Sequence, residues 1–198
     1  MRPAYLLPLS ALLLLSACVV PTGPVEVTRY NRIADGVVYG SGSYSVAEGG
    51  DPKASSGLAA SPYLAAVARE MQRVGYGEKL SGGDVIAQVD VNSIDRGPPA
   101  RSPVSVGVGG STGSYGSGVG LGIGIDLSGR GKAQVETTLS VRLVRQIDKV
   151  VVWEGRAVQS AGKGTPAAQP GIAASKLAAA LFQGFPGKSG ATDRRAHV

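Results

Sequence analysis

The sequence predicts an α+β domain, a largely antiparallel β-sheet with two helices packed on one face. Two kinds of periodicity predict this class. Several short stretches alternate apolar and polar residues with the period of two that a half-buried strand requires. Two longer stretches carry apolar residues at three- and four-residue spacing, which is typical of amphipathic helices. Alternating strands suit a sheet with one face covered and the other solvated or bound to a partner.

The first residues resemble a lipoprotein signal. An apolar run over residues 4–15 follows Arg2, and it is too short to span a bilayer stably. The run ends at Leu15-Ser16-Ala17-Cys18, which resembles the lipobox of bacterial lipoproteins. This resemblance implies that residues 1–17 are a signal peptide that is removed, and that Cys18 is lipidated. We therefore expect a protein of the bacterial cell envelope that is anchored to the membrane by the lipid on Cys18.

Residues 18–24 follow as a short tether. Val19, directly after the cysteine, resembles the outer-membrane sorting pattern, which predicts an outer-membrane protein facing the periplasm. The chain carries 20 Lys and Arg against 14 Asp and Glu, a net charge of +6. This charge suits anionic envelope components, or another envelope protein, as partners. Nucleic acid is not an expected partner, because the basic residues are scattered and form no basic helix.

The chain is poor in catalytic groups. The one histidine, His197, is the penultimate residue, and a lipidated Cys18 has no thiol. Neither a Ser/His/Asp nor a Cys/His site is therefore expected, and no metal or cofactor site is expected either. We expect a protein that is not an enzyme. Carboxylates on or beside predicted strands leave a hydrolase as a weak alternative: Asp84, Asp90, Asp126, Glu136 and Glu154.

A single domain is expected over residues 25–188, a size that supports one core. Its first strand covers residues 25–30, which alternate. Residues 37–46 predict a second, weaker strand that glycine dilutes. The polar residues 48–57 predict a loop.

The best helix covers residues 62–74. Ser61 offers an N-cap, and Gly75 offers a left-handed C-terminal stop. The predicted apolar face consists of Leu64, Val67, Ala68, Met71 and Val74.

A glycine-rich insert covers residues 107–131, after a strand over residues 84–91 and a proline-rich turn over residues 96–103. Within the insert, glycine alternates with Val119, Leu121, Ile123 and Ile125. We expect residues 118–125 to form a strand with these apolar residues toward the core and a close neighbour on the bare glycine face. The alternative is a self-assembling or membrane-inserting element.

The clearest strand covers residues 134–144, and a turn over residues 147–149 leads back into residues 150–158. Trp153, the only tryptophan, is expected to be a packing anchor, with a place in a ligand groove as the alternative. The predicted inward residues of the first of these strands are Val135, Thr137, Leu139, Val141 and Leu143.

A second helix is expected over residues 170–183, ended by Phe185-Pro186-Gly187, and residues 189–198 are expected to form a polar tail. Gly187-Lys188-Ser189 resembles the end of a phosphate-binding loop. Phe182 stands in place of the first glycine and no helix follows, so no nucleotide site is expected.

Four short motifs resemble one bacterial family in their order. A helix ends at Gly75-Tyr76, a strand begins at Asp84-Val85, a later strand carries Val152-Trp153-Glu154-Gly155, and the end comes at Phe185-Pro186. The chain thereby resembles, over roughly residues 25–188, the bacterial lipoprotein family classed as domain of unknown function 4136. The resemblance implies an envelope location and an α+β domain. It implies no activity, so no catalytic residue is carried over.

We expect a non-enzymatic binding or assembly module that acts through the face or an edge of its sheet. The alternative is a periplasmic lipid or small-molecule carrier, with a groove between the sheet and the helices. An apolar pocket beside Trp153 would favour the carrier. Two close, buried carboxylates would favour the hydrolase.

Overall fold

A computed structural model describes residues 23–32, 38–98, 104–113, 116–125 and 132–195. Within these ranges it contains nine strands and two α-helices. In chain order they are β1 (Val25–Asn31), β2 (Ser43–Glu48), α1 (Ser61–Arg73), β3 (Gly77–Glu78), β4 (Val85–Arg96), β5 (Val104–Gly113), β6 (Gly116–Ile125), β7 (Gln134–Arg145), β8 (Val151–Gly162), α2 (Pro170–Phe182) and β9 (Thr192–Arg195).

Seven strands form one mixed sheet in the order β3-β2-β4-β7-β8-β1-β9. The neighbours from β4 to β9 pair antiparallel, whereas β2 is parallel to both β3 and β4. The α+β class is confirmed, and the predicted largely antiparallel sheet is corrected to a mixed one. The parallel pair exists because α1 lies between β2 and β4 in the chain and supplies the crossover that parallel strands require.

Both helices cover the same face of the sheet. α1 contacts β2 and β4, α2 contacts β1, β7 and β8, and the helices contact each other. The predicted inward alternation of β7 is confirmed for Thr137, Leu139, Val141 and Leu143, which are buried, whereas Val135 is half-buried. Trp153 and Leu177 are fully buried between the layers. The space between sheet and helices is therefore a packed core at these positions.

The predicted left-handed stop of α1 at Gly75 is confirmed, but the predicted N-cap is wrong. Ser61 is the first helical residue and not the N-cap, and the residue before it caps without a side-chain hydrogen bond. At the C-terminus, Gly75 has a φ of 107°. Its N–H donates to the Gln72 carbonyl at 3.0 Å, and the Tyr76 N–H donates to the Met71 carbonyl at 3.1 Å. This pair of bonds is a Schellman motif, which needs a left-handed residue at the position of Gly75.

A buried arginine on β1 holds the end of α2. Arg29 is 3% exposed, and its guanidinium donates to the carbonyls of Leu181 at 2.8 Å, Ala180 at 2.9 Å and Gln183 at 3.1 Å. The last turn of a helix leaves carbonyls without intrahelical partners, and its dipole favours a cation there. Burial, and then repulsion from Arg195, lower the pKa of Arg29. Arg29 thus fixes α2 against the sheet.

The glycine-rich segment forms a hairpin of its own. β5 and β6 pair antiparallel, from Val104 opposite Ile125 to Gly113 opposite Gly116. They form a two-stranded sheet separate from the large one. The strand predicted over residues 118–125 is confirmed. Its partner β5 begins directly after the predicted proline-rich turn, where no strand was predicted.

Two further strand predictions are corrected. The second strand covers Ser43–Glu48 rather than residues 37–46, and residue 37 lies outside the described part of the chain. The predicted polar tail contains β9, which pairs with β1. The Arg194 guanidinium lies 2.8 Å from the Glu26 carboxylate, which supports this pairing across the length of the chain.

Candidate functional site

The uncovered face of the sheet is polar and carries both signs of charge. Arg142 of β7 lies 3.5 Å from the Asp90 carboxylate of β4. Arg96 donates two hydrogen bonds to Glu136, at 2.8 and 2.9 Å. These bonds hold the pKa of Glu136 below its usual range. The polar positions of β4 and β7 on this face are Gln88, Asp90, Asn92, Glu136, Thr138, Ser140 and Arg142.

Arg156 lies in the middle of this face. It stands on β8, paired with Ser140 of β7 on one side and Thr28 of β1 on the other. Its side chain is exposed, and within the described residues it makes no hydrogen bond and no ion pair. The hydrogen bonds from Arg96 are the main cause of the lowered pKa of Glu136, and the positive charge of Arg156 also lowers it. The guanidinium donors of Arg156 are therefore open to an anionic group of a ligand or partner.

The edges of the sheet are short and charged. β3 has two residues and β9 has four, with Asp193, Arg194 and Arg195 among them. Arg195 contacts Asp193 at 3.3 Å. Short edge strands with charged side chains oppose pairing with a further strand. The face is therefore a better binding surface than either edge.

A cavity of about 590 Å³ lies at the end of the sheet where β4 and β8 begin and β7 ends. Its wall includes Tyr76 and Val152, and two exposed apolar side chains line it, Val38 and Ile147. The Oε1 atom of Gln146, which also lines the cavity, is buried without a donor among the described residues. A small molecule with an apolar part and one hydrogen-bond donor fits these walls.

Asp84 also lines this cavity, but its carboxylate is engaged in the fold. Its Oδ2 accepts from the Ser43 hydroxyl and from the Ser43 N–H, both at 2.7 Å. These hydrogen bonds lower the pKa of Asp84. The contact ties the start of β4 to the start of β2, so Asp84 holds the cavity wall in place.

Four of the five carboxylates considered for a hydrolase lie in the described part of the chain, at separate places. Asp84 lies at the end cavity, Glu154 is exposed on β8, and Asp126 lies outside the described residues. Asp90 and Glu136 share the uncovered face at register positions four residues apart, about 13 Å along the strands. Asp84 and Glu136 have lowered pKa values, whereas a general acid needs a raised one near neutral pH. Over the part of the chain that is described, no three His, Cys, Asp or Glu residues are placed to hold a metal ion.

Three of the four family-like motifs meet in the core, and Tyr76, Asp84 and Val152 of these motifs also line the end cavity. The Trp153 ring lies 5.3 Å from the Phe185 ring, which in turn lies 6.3 Å from that of Tyr76. The indole N–H donates to the Pro186 carbonyl at 3.0 Å. Gly155 leaves room for the indole, because a Cβ there would overlap the Trp153 ring. Trp153 is 1% exposed, as a packing anchor should be.

The predicted lipidation site, Cys18, and the one histidine, His197, lie outside the described residues. None of the helices in the described ranges is long and apolar enough to cross a membrane.

Arg156 and Gln146 are not among the functional residues predicted from the sequence. Arg156 could have been identified from the sequence, because it alternates in phase with Glu154 on the polar side of β8. The other side of this strand carries Trp153 and Ala157. Gln146 gave no signal, because an acceptor becomes isolated only when the fold encloses it.

Residues 26–187 match the family described as Domain of unknown function (DUF4136). The match covers most of the chain, and the chain belongs to this family. A relative, "Uncharacterized protein ZMO1243" of Zymomonas mobilis subsp. mobilis, is 41% identical over 61 residues, which are 31% of this chain and 23% of that protein. This chain thus spans under a quarter of that relative's length.

Two solved structures are similar in shape. A PDZ domain protein from Parabacteroides distasonis has a TM-score of 0.50 and 12% identity, over 88% of this chain and 39% of that one. The PelC dodecamer from Paraburkholderia phytofirmans has a TM-score of 0.42 and 10% identity, over 80% of this chain and 94% of that one. The first similarity concerns the fold alone.

Proposed function

We propose that this member of the DUF4136 family is a lipid-anchored protein of the bacterial envelope, held in the outer membrane and facing the periplasm. Leu15-Ser16-Ala17-Cys18 supports the anchor. Gly23, five residues after Cys18, already contacts the folded domain, because its carbonyl accepts a hydrogen bond from the Lys176 ammonium at 2.9 Å. Five extended residues span at most about 18 Å. The anchor therefore keeps the domain close to the membrane surface.

The anchor is tested by the mass of the mature protein. We expect acyl chains on Cys18 as the N-terminal residue, and we expect Cys18→Ala to leave an unlipidated precursor. A mature N-terminus at another residue would contradict the anchor. Fractionation into the inner membrane would contradict the outer-membrane location alone.

The domain acts, in this proposal, as a non-enzymatic binding module that uses the uncovered face of its sheet. The observation that carries this proposal is Arg156, an exposed guanidinium in the middle of this face that makes no hydrogen bond or ion pair with the described residues, whereas Arg96 and Arg142 are paired with carboxylates. A guanidinium with free donors matches phosphate and carboxylate groups. The proposed partner is therefore an anionic envelope component.

Site-specific crosslinking in intact cells tests the face. A photo-reactive amino acid at Ser140, the register partner of Arg156, should capture the partner. The same group at Ala65, an exposed position of α1 on the other side of the domain, is the matched control. Capture at Ser140 should disappear with Arg156→Gln. Equal capture at both positions, or capture that Arg156→Gln leaves unchanged, would contradict the proposal.

A second candidate function is a carrier of small molecules in the end cavity. Gln146 lines the cavity of about 590 Å³, and its Oε1 is buried without a donor among the described residues, which favours this function. Native mass spectrometry of the protein purified from cells should then show a bound molecule. Gln146→Leu should remove that molecule without changing the thermal melt. Identical spectra for both proteins would exclude this carrier function.

A further inference from the structure

We propose that the hairpin of β5 and β6 docks on the membrane, with one of its two faces against lipid acyl chains. This inference rests on the proposed lipid anchor and adds a second contact between the protein and the bilayer. It assigns a role to the glycine-rich segment, for which the family-like motifs imply nothing.

The register of the hairpin separates its residues into two unlike faces. On one face the paired positions are Val104 with Ile125, Val106 with Ile123, and Val108 with Leu121. On the other face the pairs are Ser105 with Gly124, Gly107 with Gly122, and Gly109 with Gly120. One face thus holds only branched aliphatic residues over this length, and the other holds only glycine and serine.

The hairpin lacks charged residues and presents an extended apolar face, as expected of a contact with lipid. Residues 104–125 contain no Asp, Glu, Lys or Arg, in a chain that is 17% charged. The three aliphatic pairs, from residue 104 to residue 108, extend about 13 Å along the strands, and Val119 continues this face opposite Gly110. The outer edge of each strand has no paired strand in this two-stranded sheet. Hydrocarbon cannot satisfy such backbone groups, so the hairpin should lie at the boundary of headgroups and acyl chains rather than cross the membrane.

The topology places the hairpin and the tether at the same end of the large sheet. β4 enters the hairpin after Arg96 and β7 leaves it at Gln134, and these two residues are register partners. Gln134 also pairs with Gly162, at the end of β8. Gly23 lies against Ser160, two residues from that end, since a Cβ on Gly23 would be 3.4 Å from the Ser160 carbonyl. A domain anchored through Cys18 therefore turns the end that carries the hairpin toward the bilayer. Because the anchored domain always lies beside the bilayer, lipid is favoured over a second copy of the chain as the contact of the aliphatic face.

Single cysteines test the docking, because Cys18 is the only cysteine and lipidation consumes its thiol. Four variants of the lipidated protein would each carry an environment-sensitive fluorophore: Val106→Cys and Ile123→Cys on the aliphatic face, Ser105→Cys on the other face, and Ser140→Cys on the large sheet. The proteins would be placed in vesicles of phosphatidylethanolamine and phosphatidylglycerol, with or without nitroxide-labelled acyl chains. We expect several-fold stronger quenching by nitroxide at positions 106 and 123 than at 105 and 140.

A substitution pair tests the cause of the quenching. With the fluorophore at position 106, Leu121→Ser should weaken the quenching by lipid nitroxide, because it reduces the apolar face. Gly120→Ser, on the opposite face, should leave the quenching unchanged. Equal effects of the two substitutions would overturn the proposal.

Several outcomes would overturn docking. Fluorophores at 106 and 123 that are quenched by aqueous iodide and not by lipid nitroxide would show a face in water. Shielding from both quenchers would show a face covered by protein, either a second copy or the chain itself. The mass of the protein reports on the anchor separately. If Cys18 is acylated but quenching does not differ between the two faces of the hairpin, docking is wrong and the anchor stands. If Cys18 carries no acyl chains, both the anchor and the docking that rests on it are wrong.

Discussion

Replacing Arg29 by methionine is expected to destabilise the domain by about 2–5 kcal/mol. The guanidinium donates three hydrogen bonds, between 2.8 and 3.1 Å long, to carbonyls at the end of α2. Methionine has a similar length but donates nothing. Each buried carbonyl left without a donor costs about 1–3 kcal/mol, and losing the cation from the helix C-terminus costs about 0.3–2 kcal/mol more. Removing the guanidinium also removes the cost of its own burial, which offsets part of the sum.

Urea unfolding measures this change, with the fluorescence of Trp153 as the signal. Arg29→Lys separates charge from geometry, because an ammonium is a compact donor that cannot reach three carbonyls, and we expect an intermediate loss of stability. Arg156→Met is the matched control, since Arg156 is exposed and has no polar partner among the described residues. If Arg29→Met and Arg156→Met unfold at the same urea concentration, the carbonyls of α2 do not depend on Arg29, and the reasoning is wrong.

Three further predictions concern residues of the family-like motifs. Trp153→Ala should cost about 3–5 kcal/mol, because it empties a buried site, and Trp153→Phe should cost less, because it loses mainly the bond to the Pro186 carbonyl. Gly155→Ala should cost about 1–3 kcal/mol through overlap with the indole, whereas Gly171→Ala, which meets nothing within 4 Å, should be neutral in the same thermal melts. The folded-state pKa of Asp84 is lowered, so its stabilisation is complete above the unfolded pKa of about 3.9 and is lost as pH falls through the lower folded value. Asp84→Asn should therefore reduce the loss of stability in acid, measured by circular dichroism, and an unchanged acid transition would contradict this role.

Periodicity predicted the parts of the fold in which local pattern and burial coincide. β7 alternates in sequence and in burial because one of its faces meets the helices and the other does not. α1 was predicted within one residue at each end, but its buried face is turned from the predicted one. Leu64, Ala68 and Val74 are half-buried at its margin, and the fully buried set is Tyr63, Ala66, Val67 and Met71. The tyrosine was not counted as apolar in the pattern, although its ring is.

Pairing between distant segments could not be predicted from local pattern. β9 has no apolar alternation, and it forms because β1 offers it a free edge, with Thr192 beside Thr28 and Arg194 beside Glu26. β2 has the residues of a strand, but nothing in its sequence specifies a parallel partner. Arg29, in contrast, could have been identified, because it is in phase with Val25 and Val27 on the buried side of β1. A charged residue at such a position requires buried acceptors, and the end of a helix supplies them.

The family-like motifs account for the fold and not for the function. Gly75 closes α1, the Asp84 carboxylate joins β4 to β2, Gly155 admits the Trp153 ring, and Pro186 accepts the indole hydrogen bond. Each of these roles belongs to the fold, although Tyr76, Asp84 and Val152 of the same motifs also form part of the wall of the end cavity.

The groups that do face outward lie elsewhere. Arg156 stands on the uncovered face, Gln146 in the end cavity, and the hairpin at the end from which the tether leaves. Two proteins could therefore share all four motifs, and the fold they stabilise, while they bind different partners. The binding properties of a chain with this fold must be read from the outer face of its sheet, where the motifs contribute Glu154, and from the segment between β4 and β7, where they contribute no residue.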